Sequence, residues 1–393
     1  MLNVSTVKNT VYGWLSREST TGRLIPEIDG LRFVAIVSVI LYHLNGYITI
    51  KTGREKSGEF LCSLFDKGFF GVPLFFVISG FIISYPFARA LLAGREGPEL
   101  RNYYLRRLTR LEPPYIINLV IMFSLLVMVK GVAISELLIH LFASIFYSHN
   151  LIFGEHSLVN GVAWSLEVEL QFYLLAPLLT SLFLIRSTKL RRAVLLVFIM
   201  GFSVASTYLI SGNGGLEIPT SNRLGLSILN YAHYFLTGFL LVDIYLTDWR
   251  EAPELNRTWD LVSVAAWLLI VWLLFCSRAL QIFLPLAILI AYCGAFRGRW
   301  SNSLFRMPFI YIFGGMCYTT YLYHFQIISM AGRYALKLHQ PGWPLWLNVM
   351  IVFGVLFPVI FIVCSVFFAL LEKPFMRRDW HKAVVARLLP IRG

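Results

Sequence analysis

The chain predicts an all-α fold: a polytopic membrane bundle of about ten transmembrane helices plus one re-entrant or interfacial segment. Three observations carry that expectation. Of 393 residues, 58% are hydrophobic and only 14% charged, and the mean hydropathy is +0.70, a profile of chains that fold in lipid. Apolar runs of spanning length recur along the whole sequence. The formal net charge of +13 lies in short basic clusters between those runs, as cytoplasmic loops facing anionic lipid require. Such scattered clusters argue against a nucleic-acid partner. The lipid bilayer is the first partner expected.

Residues 1–28 read as a polar cytoplasmic N-terminal segment with Lys8, Arg17 and Arg23. It is too polar for a cleavable signal peptide, so the first span is expected to act as an uncleaved signal anchor. Spans are predicted near 31–50, 69–93, 114–130, 164–185, 193–211, 224–246, 258–276, 279–296, 306–331 and 345–371. The third is taken to start after Pro113-Pro114, with Arg95, Arg101, Arg106, Arg107 and Arg110 in the loop before it. Basic residues at 186–192, at 297–306 and in the tail satisfy the positive-inside rule if 135–153, interrupted by His140, Ser148, His149 and Asn150, does not cross. Both termini are then cytoplasmic. Residues 29–376 form one membrane domain and 377–393 a basic cytoplasmic tail. In the 69–93 span, Gly71, Ser79 and Gly80 permit close helix packing. Five cysteines show no CxxC or Cys/His spacing, so neither a disulfide framework nor a metal site is expected.

Within span one, Arg32 and His43 are eleven residues apart. That is three helical turns plus about 20°, so both face one way, roughly 16 Å apart along the axis. This is the scale of an extended coenzyme arm, with an anion site at one end and a reactive group at the other. Ionisable residues in a membrane helix usually face a polar cavity. The plainer reading is a snorkelling arginine and a hydrogen-bonded core histidine.

Arg107 and Arg110, in RRLTRLEPPY, share a helical face and suit phosphate; as positive-inside anchors they need no ligand. In WSLEVELQFY, Glu169 and Tyr173 are spaced i, i+4, and Trp164 and Ser165 are placed to cap the span. The carboxylates there suit a sugar, or a histidine held in one tautomer, or simply an interfacial belt. His324 stands among Tyr318, Tyr321 and Tyr323, where a structural hydrogen bond is the commoner explanation. Glu372 in LLEKPF reads equally as a helix end. No nucleophile elbow, P-loop, HExxH or dinucleotide fingerprint is present.

Taken in order, these motifs resemble the acyltransferase-3 family, the integral-membrane O-acyltransferases that include O-antigen and exopolysaccharide acetylases. The resemblance covers about 26–376. IPEIDGLRFVAIVSVILYH matches the family's Arg/Lys–ten residues–His pattern at Arg32 and His43, and RLTR its RxxR element. WSLEVELQFY places the family glutamate at Glu169 and not Glu167, CYTTYLYH ends at His324, and LLEKPF is similar to the closing E-x-P-F. Cys317, Thr319, Thr320 and Glu112 depart from the pattern. Nothing in the 393 residues resembles the SGNH-type hydrolase domain that some members append.

The resemblance implies transfer of an acyl group, commonly acetyl, from cytoplasmic acyl-CoA to a hydroxyl of an extracytoplasmic carbohydrate in the bacterial inner membrane. Acetyl-CoA or another acyl-CoA is the co-substrate, and no metal is implied. Arg32, Arg107 and Arg110 are expected to hold the coenzyme, and His43 to act as general base, with a transient acyl-histidine as the variant route. Glu169 joins the catalytic set, on the acceptor side or orienting His43. Trp164, Ser165, Tyr173, Tyr321 and His324 are expected around the acceptor, with Ser79, Tyr321 or a backbone N–H as oxyanion donor. The rival class is a transporter or flippase, for which intramembrane Arg and His would mark a pathway. The expected absence of an inverted repeat and the expected loop position of RxxR weigh against it.

Overall fold

The computed structural model describes residues 13, 15–17, 24–53, 58–210 and 222–376. The expected segment 1–28 lies largely, and the tail 377–393 wholly, outside them. The described residues form helices and no β-strand. In chain order the principal helices are α1 (Pro26–Thr52), α2 (Phe60–Asp66), α3 (Gly71–Leu92), α4 (Leu100–Lys130), α5 (Ile134–Ile145), α6 (His149–Phe153), α7 (Trp164–Leu179) and α8 (Thr188–Ala205). They continue as α9 (Ile228–Thr247), α10 (Thr258–Phe275), α11 (Arg278–Gln281), α12 (Leu284–Arg297), α13 (Arg299–Phe305), α14 (Pro308–Gly315), α15 (Cys317–Ala335) and α16 (Leu345–Phe367). A π-helical turn, Phe368–Glu372, prolongs α16.

The ends of α1 follow from its sequence. Pro26 opens it, Glu27 and Asp29 lie in the first turn, Lys51 in the last, and Gly53 closes it at φ 64°. Each choice matches the helix dipole or the left-handed cap. Seven helical stretches among the described residues are long and apolar enough to cross a membrane, so this is a multi-pass membrane protein.

Three of the ten expected crossings fall short of that standard. Helix α12 has 14 residues, about 21 Å against a hydrocarbon core of about 30 Å. The 306–331 segment breaks at Met316 into α14 and α15. Helix α9 carries Asn230, His233 and Asp243, all buried; it is walled by protein, so lipid does not select its composition. The 135–153 segment folds as α5 and α6, of 12 and 5 residues, neither long enough to span.

The boundary expected at Pro113-Pro114 is also displaced. Helix α4 starts at Leu100 and runs through both prolines, so Arg101, Arg106, Arg107 and Arg110 are helical. Pro113 and Pro114 remove the donors to the carbonyls of Thr109 and Arg110, which is tolerated where the helix is supported by its neighbours; beside this point the Tyr318 hydroxyl donates to Leu111 O at 2.9 Å. The loop argument against a transporter therefore falls away. Arg191, expected in a basic loop, is a buried residue of α8 whose Nε lies 2.5 Å from Asp243 Oδ1.

Close packing rests on glycine. A Cβ on Gly80 would sit 2.1 Å from Phe235 O, and one on Gly238 2.3 Å from Val77 O. Helices α3 and α9 thus cross backbone to backbone, which only small residues allow. Gly71 meets Ala35 O in the same way, at 2.2 Å, joining α3 to α1. The Phe60–Leu92 stretch is 83% buried within its apolar window and that of Leu100–Lys130 only 28%. The first is therefore central, and the second presents most of its surface outward.

Candidate functional site

A cavity opens between α1, α3, α4, α7 and α15. Arg17, Arg32, Arg107 and Arg110 line it together with Glu169 and Glu372. The three arginines that the sequence singled out are thus brought to one space, from two helices and 78 residues of chain separation between Arg32 and Arg110. Arg17 is a fourth that the sequence reading left in a polar leader. Its Nη1 and that of Arg32 both approach Asp29 Oδ1, at 3.3 and 2.5 Å. Arg107 stacks over the Tyr173 and Tyr103 rings, 5.6 and 5.9 Å from their centroids. Among the described residues neither Arg107 nor Arg110 has a carboxylate ion-pair partner. A basic mouth walled by Arg89, Arg95, Arg106, Arg107 and Arg110 adjoins the cavity. Such an array fits a polyanion with several phosphates.

Glu169 is held on one oxygen by two hydroxyls. Ser79 donates to Oε1 at 2.6 Å and Tyr173 at 2.5 Å. The Tyr173 contact is the i, i+4 neighbour its spacing dictates; the Ser79 contact comes from α3. Glu167, two residues earlier, turns the other way and is 1% exposed. It accepts the backbone N–H of His149 (3.2 Å) and Asn150 (2.8 Å), so it anchors the α6 segment. Glu372 accepts Thr319 Oγ1 at 2.6 Å and Thr319 N at 3.2 Å, which fixes the end of α16 against α15.

His43 lies beyond this cavity and does not line it. Its hydrogen-bond partners are Val39 O, 3.0 Å from Nδ1, and His324 Nε2, also 3.0 Å from Nδ1. Glu169 is not among them, so the expected orienting carboxylate is replaced by a second imidazole. The protons follow from the partners. His324 Nδ1 faces the carbonyls of Tyr321 (2.8 Å) and Thr320 (3.1 Å); carbonyls only accept, so Nδ1 is the donor. In a neutral pair, His324 Nε2 is then an acceptor and takes the proton of His43 Nδ1. The lone pair of His43 is left on Nε2.

Tyr321 joins the two regions. It lines the cavity, and its ring centroid is 5.8 Å from that of His324. Its hydroxyl donates to Val162 O at 2.9 Å and lies 2.7 Å from Ser165 Oγ. Ser165 therefore pairs with Tyr321 and caps nothing; the helix begins at Trp164 after a 3-10 turn capped by Asn160, whose Oδ1 accepts Val162 N at 3.3 Å. The hydroxyl protons of Ser79 and Tyr321, the expected oxyanion donors, are both committed to other oxygens. Trp164 lies beside His156 with parallel rings 6.0 Å apart, and His156 is within electrostatic reach of His43. The sequence carried no sign of His156, which stands in an irregular segment with no helical spacing to align it.

Among the described residues no group of three or more His, Cys, Asp and Glu could hold a metal, and none of the five cysteines is in a disulfide.

The chain is similar in sequence to known proteins. The chain is 25% identical over 391 residues to a “Putative O-acetyltransferase” of Staphylococcus aureus strain COL, across 92% of this chain and 59% of that one. It is 29% identical over 225 residues to the O-acetyltransferase OatA of Staphylococcus aureus strain NCTC 8325, across 53% of this chain and 34% of OatA. The chain thus spans about three fifths of the length of the first relative and a third of the second. No solved structure matches it. The family model described as an acyltransferase domain matches residues 25–369, a stretch that takes in every helix around the cavity and the histidine pair. The chain belongs to the acyltransferase-3 family.

Proposed function

We propose that this protein is an O-acetyltransferase that moves an acyl group, acetyl first among them, from acyl-coenzyme A to a hydroxyl of an extracytoplasmic carbohydrate. Exopolysaccharide, O-antigen and lipid-linked glycan are the acceptor class. The protein sits in the bacterial inner membrane with both termini cytoplasmic, by the distribution of basic residues. The observation that carries the reading is the alignment of an arginine-lined cavity with a histidine pair beyond its Tyr321 wall.

The coenzyme phosphates bind Arg107, Arg110 and Arg32 from the cytoplasmic mouth, and the pantetheine arm runs past Ser165 and Tyr321 toward His43. That passage requires the Ser165–Tyr321 hydroxyl pair to part. His43 Nε2 takes the proton of the acceptor hydroxyl as its oxygen bonds to the thioester carbonyl carbon. The tetrahedral intermediate collapses with cleavage of the C–S bond, and the proton on Nε2 passes to the leaving thiolate. His324 holds His43 in the tautomer this needs. Glu169, Tyr173 and Trp164 shape the acceptor side.

The test is incubation of purified protein in lipid with radiolabelled acetyl-CoA, wild type beside His43→Ala. Coenzyme release and label on extracted envelope glycans with the wild type alone are expected. Equal labelling by His43→Ala removes His43 from the chemistry. No thioester consumption with any acyl-CoA moves the reading to transport.

A further inference from the structure

We propose that the seam between α4 and α7 binds one phosphate-headed membrane lipid, its hydrocarbon chain between the two helices and its phosphate on Arg107. This rests on the cytoplasmic placement of Arg107 given above, though not on acyl transfer itself.

A second cavity branches from the arginine-lined one and shares Arg107, Glu169 and Tyr173 with it. Leu111, Leu166 and Tyr318 also line both, and the remaining walls include Leu108, Leu170 and Leu174. Leu108 is 45% and Leu174 59% exposed, and both belong to stretches of membrane-crossing character. In this proposal lipid covers them, and the opening between them leads from the bilayer to the charged cavity. The seam is built. The hydroxyls of Tyr103 and Tyr104 on α4 donate to Tyr173 O and Leu174 O on α7, each at 3.1 Å, so the helices are clamped at one level and leave the slot beside it. Glu112, the one carboxylate of this slot absent from the main cavity, is hydrogen-bonded to Tyr147.

Charge selects the head. Arg107 lines the main cavity, the basic mouth and the lateral slot alike. It has aromatic faces beside it and no carboxylate on it among the described residues. Depth agrees: Arg107 is seven residues into α4, about 10 Å from its start, the level of a head group rather than of the hydrocarbon centre. Leu111 and Leu170 receive the chain. Since coenzyme and lipid phosphates meet the same guanidinium, the lipid excludes the donor.

The experiment uses the full chain in a detergent without phosphate, with dodecyl phosphate as probe and inorganic phosphate and dodecanol as controls. Acetyl-CoA affinity is read by calorimetry for the wild type and for Leu108→Trp and Leu174→Trp, which fill the slot and leave the arginines in place. Dodecyl phosphate is expected to raise the apparent Kd for acetyl-CoA about tenfold in the wild type and much less in the Trp variants, whose affinity without it stays unchanged. A shift no larger than that from inorganic phosphate, or an equal shift in the variants, overturns the proposal. If acetyl-CoA does not bind the wild type, the proposed function fails. The lipid site is then judged by direct dodecyl phosphate binding: loss in the Trp variants upholds it and retention overturns it.

Discussion

His324 Nε2 lies 3.0 Å from His43 Nδ1, a hydrogen bond between residues 281 apart in the chain. His324 is anchored to two carbonyls of its own helix and in turn leaves one defined nitrogen of His43 unprotonated. Replacing His324 by Ala should lower kcat about 100-fold through lost orientation while the KM for acyl-CoA holds. His324→Gln, whose amide oxygen can accept the Nδ1 proton, should recover part of that loss. Steady-state kinetics of the two variants check this; equal defects in both would reduce His324 to packing.

Arg107 and Arg110 carry no carboxylate ion pair among the described residues, though Arg110 stands within electrostatic reach of the buried carboxyls of Glu372 and Asp29. Arg107→Ala and Arg110→Ala should each weaken acyl-CoA binding by about 1.5–3 kcal/mol, roughly 10- to 100-fold in Kd, and Arg107→Ala should do so without lowering the melting temperature. Calorimetric titration with acetyl-CoA measures it.

Glu167 and Glu169 stand two residues apart and do different work. Glu167→Ala strips two backbone N–H groups of their acceptor and should cost on the order of 3 kcal/mol of stability. Glu169→Gln keeps a hydrogen-bonding oxygen for Ser79 and Tyr173, so the fold should survive while turnover falls. Melting curves in detergent, set beside activity, separate the two.

Gly80 tests the α3–α9 crossing. A methyl at 2.1 Å from a backbone oxygen cannot be accommodated by rotamer change, so Gly80→Ala should destabilise by about 1–3 kcal/mol or more. Gly201, with nothing within 4 Å of its Cβ position, is the control: Gly201→Ala should be neutral or stabilising in the same melting assay.

Burial, reinforced by neighbouring His140, pulls the His149 imidazole below its usual 6.5. The unfolded chain then binds the extra proton first on acidification, so stability should fall as pH drops through about 6.5 and level out once the folded group titrates. His149→Gln should flatten this response between about pH 8 and pH 5, as followed by thermal melting.

The sequence by itself determined the helical membrane class, the family and the face-sharing of Arg32 with His43, of Arg107 with Arg110 and of Glu169 with Tyr173. The class and the face-sharing follow from composition and from the 100° step of a helix, which needs no partner to be read; the family follows from the order of the motifs along the chain. Only the tertiary structure decided what those faces meet. The pairing of His43 with His324, the Ser79 hydroxyl on Glu169 and the convergence of Arg32 with Arg107 cross helices distant in the chain. Such contacts are set by how helices cross, through backbone approaches such as Gly80 against Phe235, and no spacing within one helix encodes them. The expected ten crossings are not all recovered from length and composition for the same reason. A helix such as α9, enclosed by its neighbours, is relieved of lipid's demand for an apolar surface, and hydropathy then no longer reports what it does.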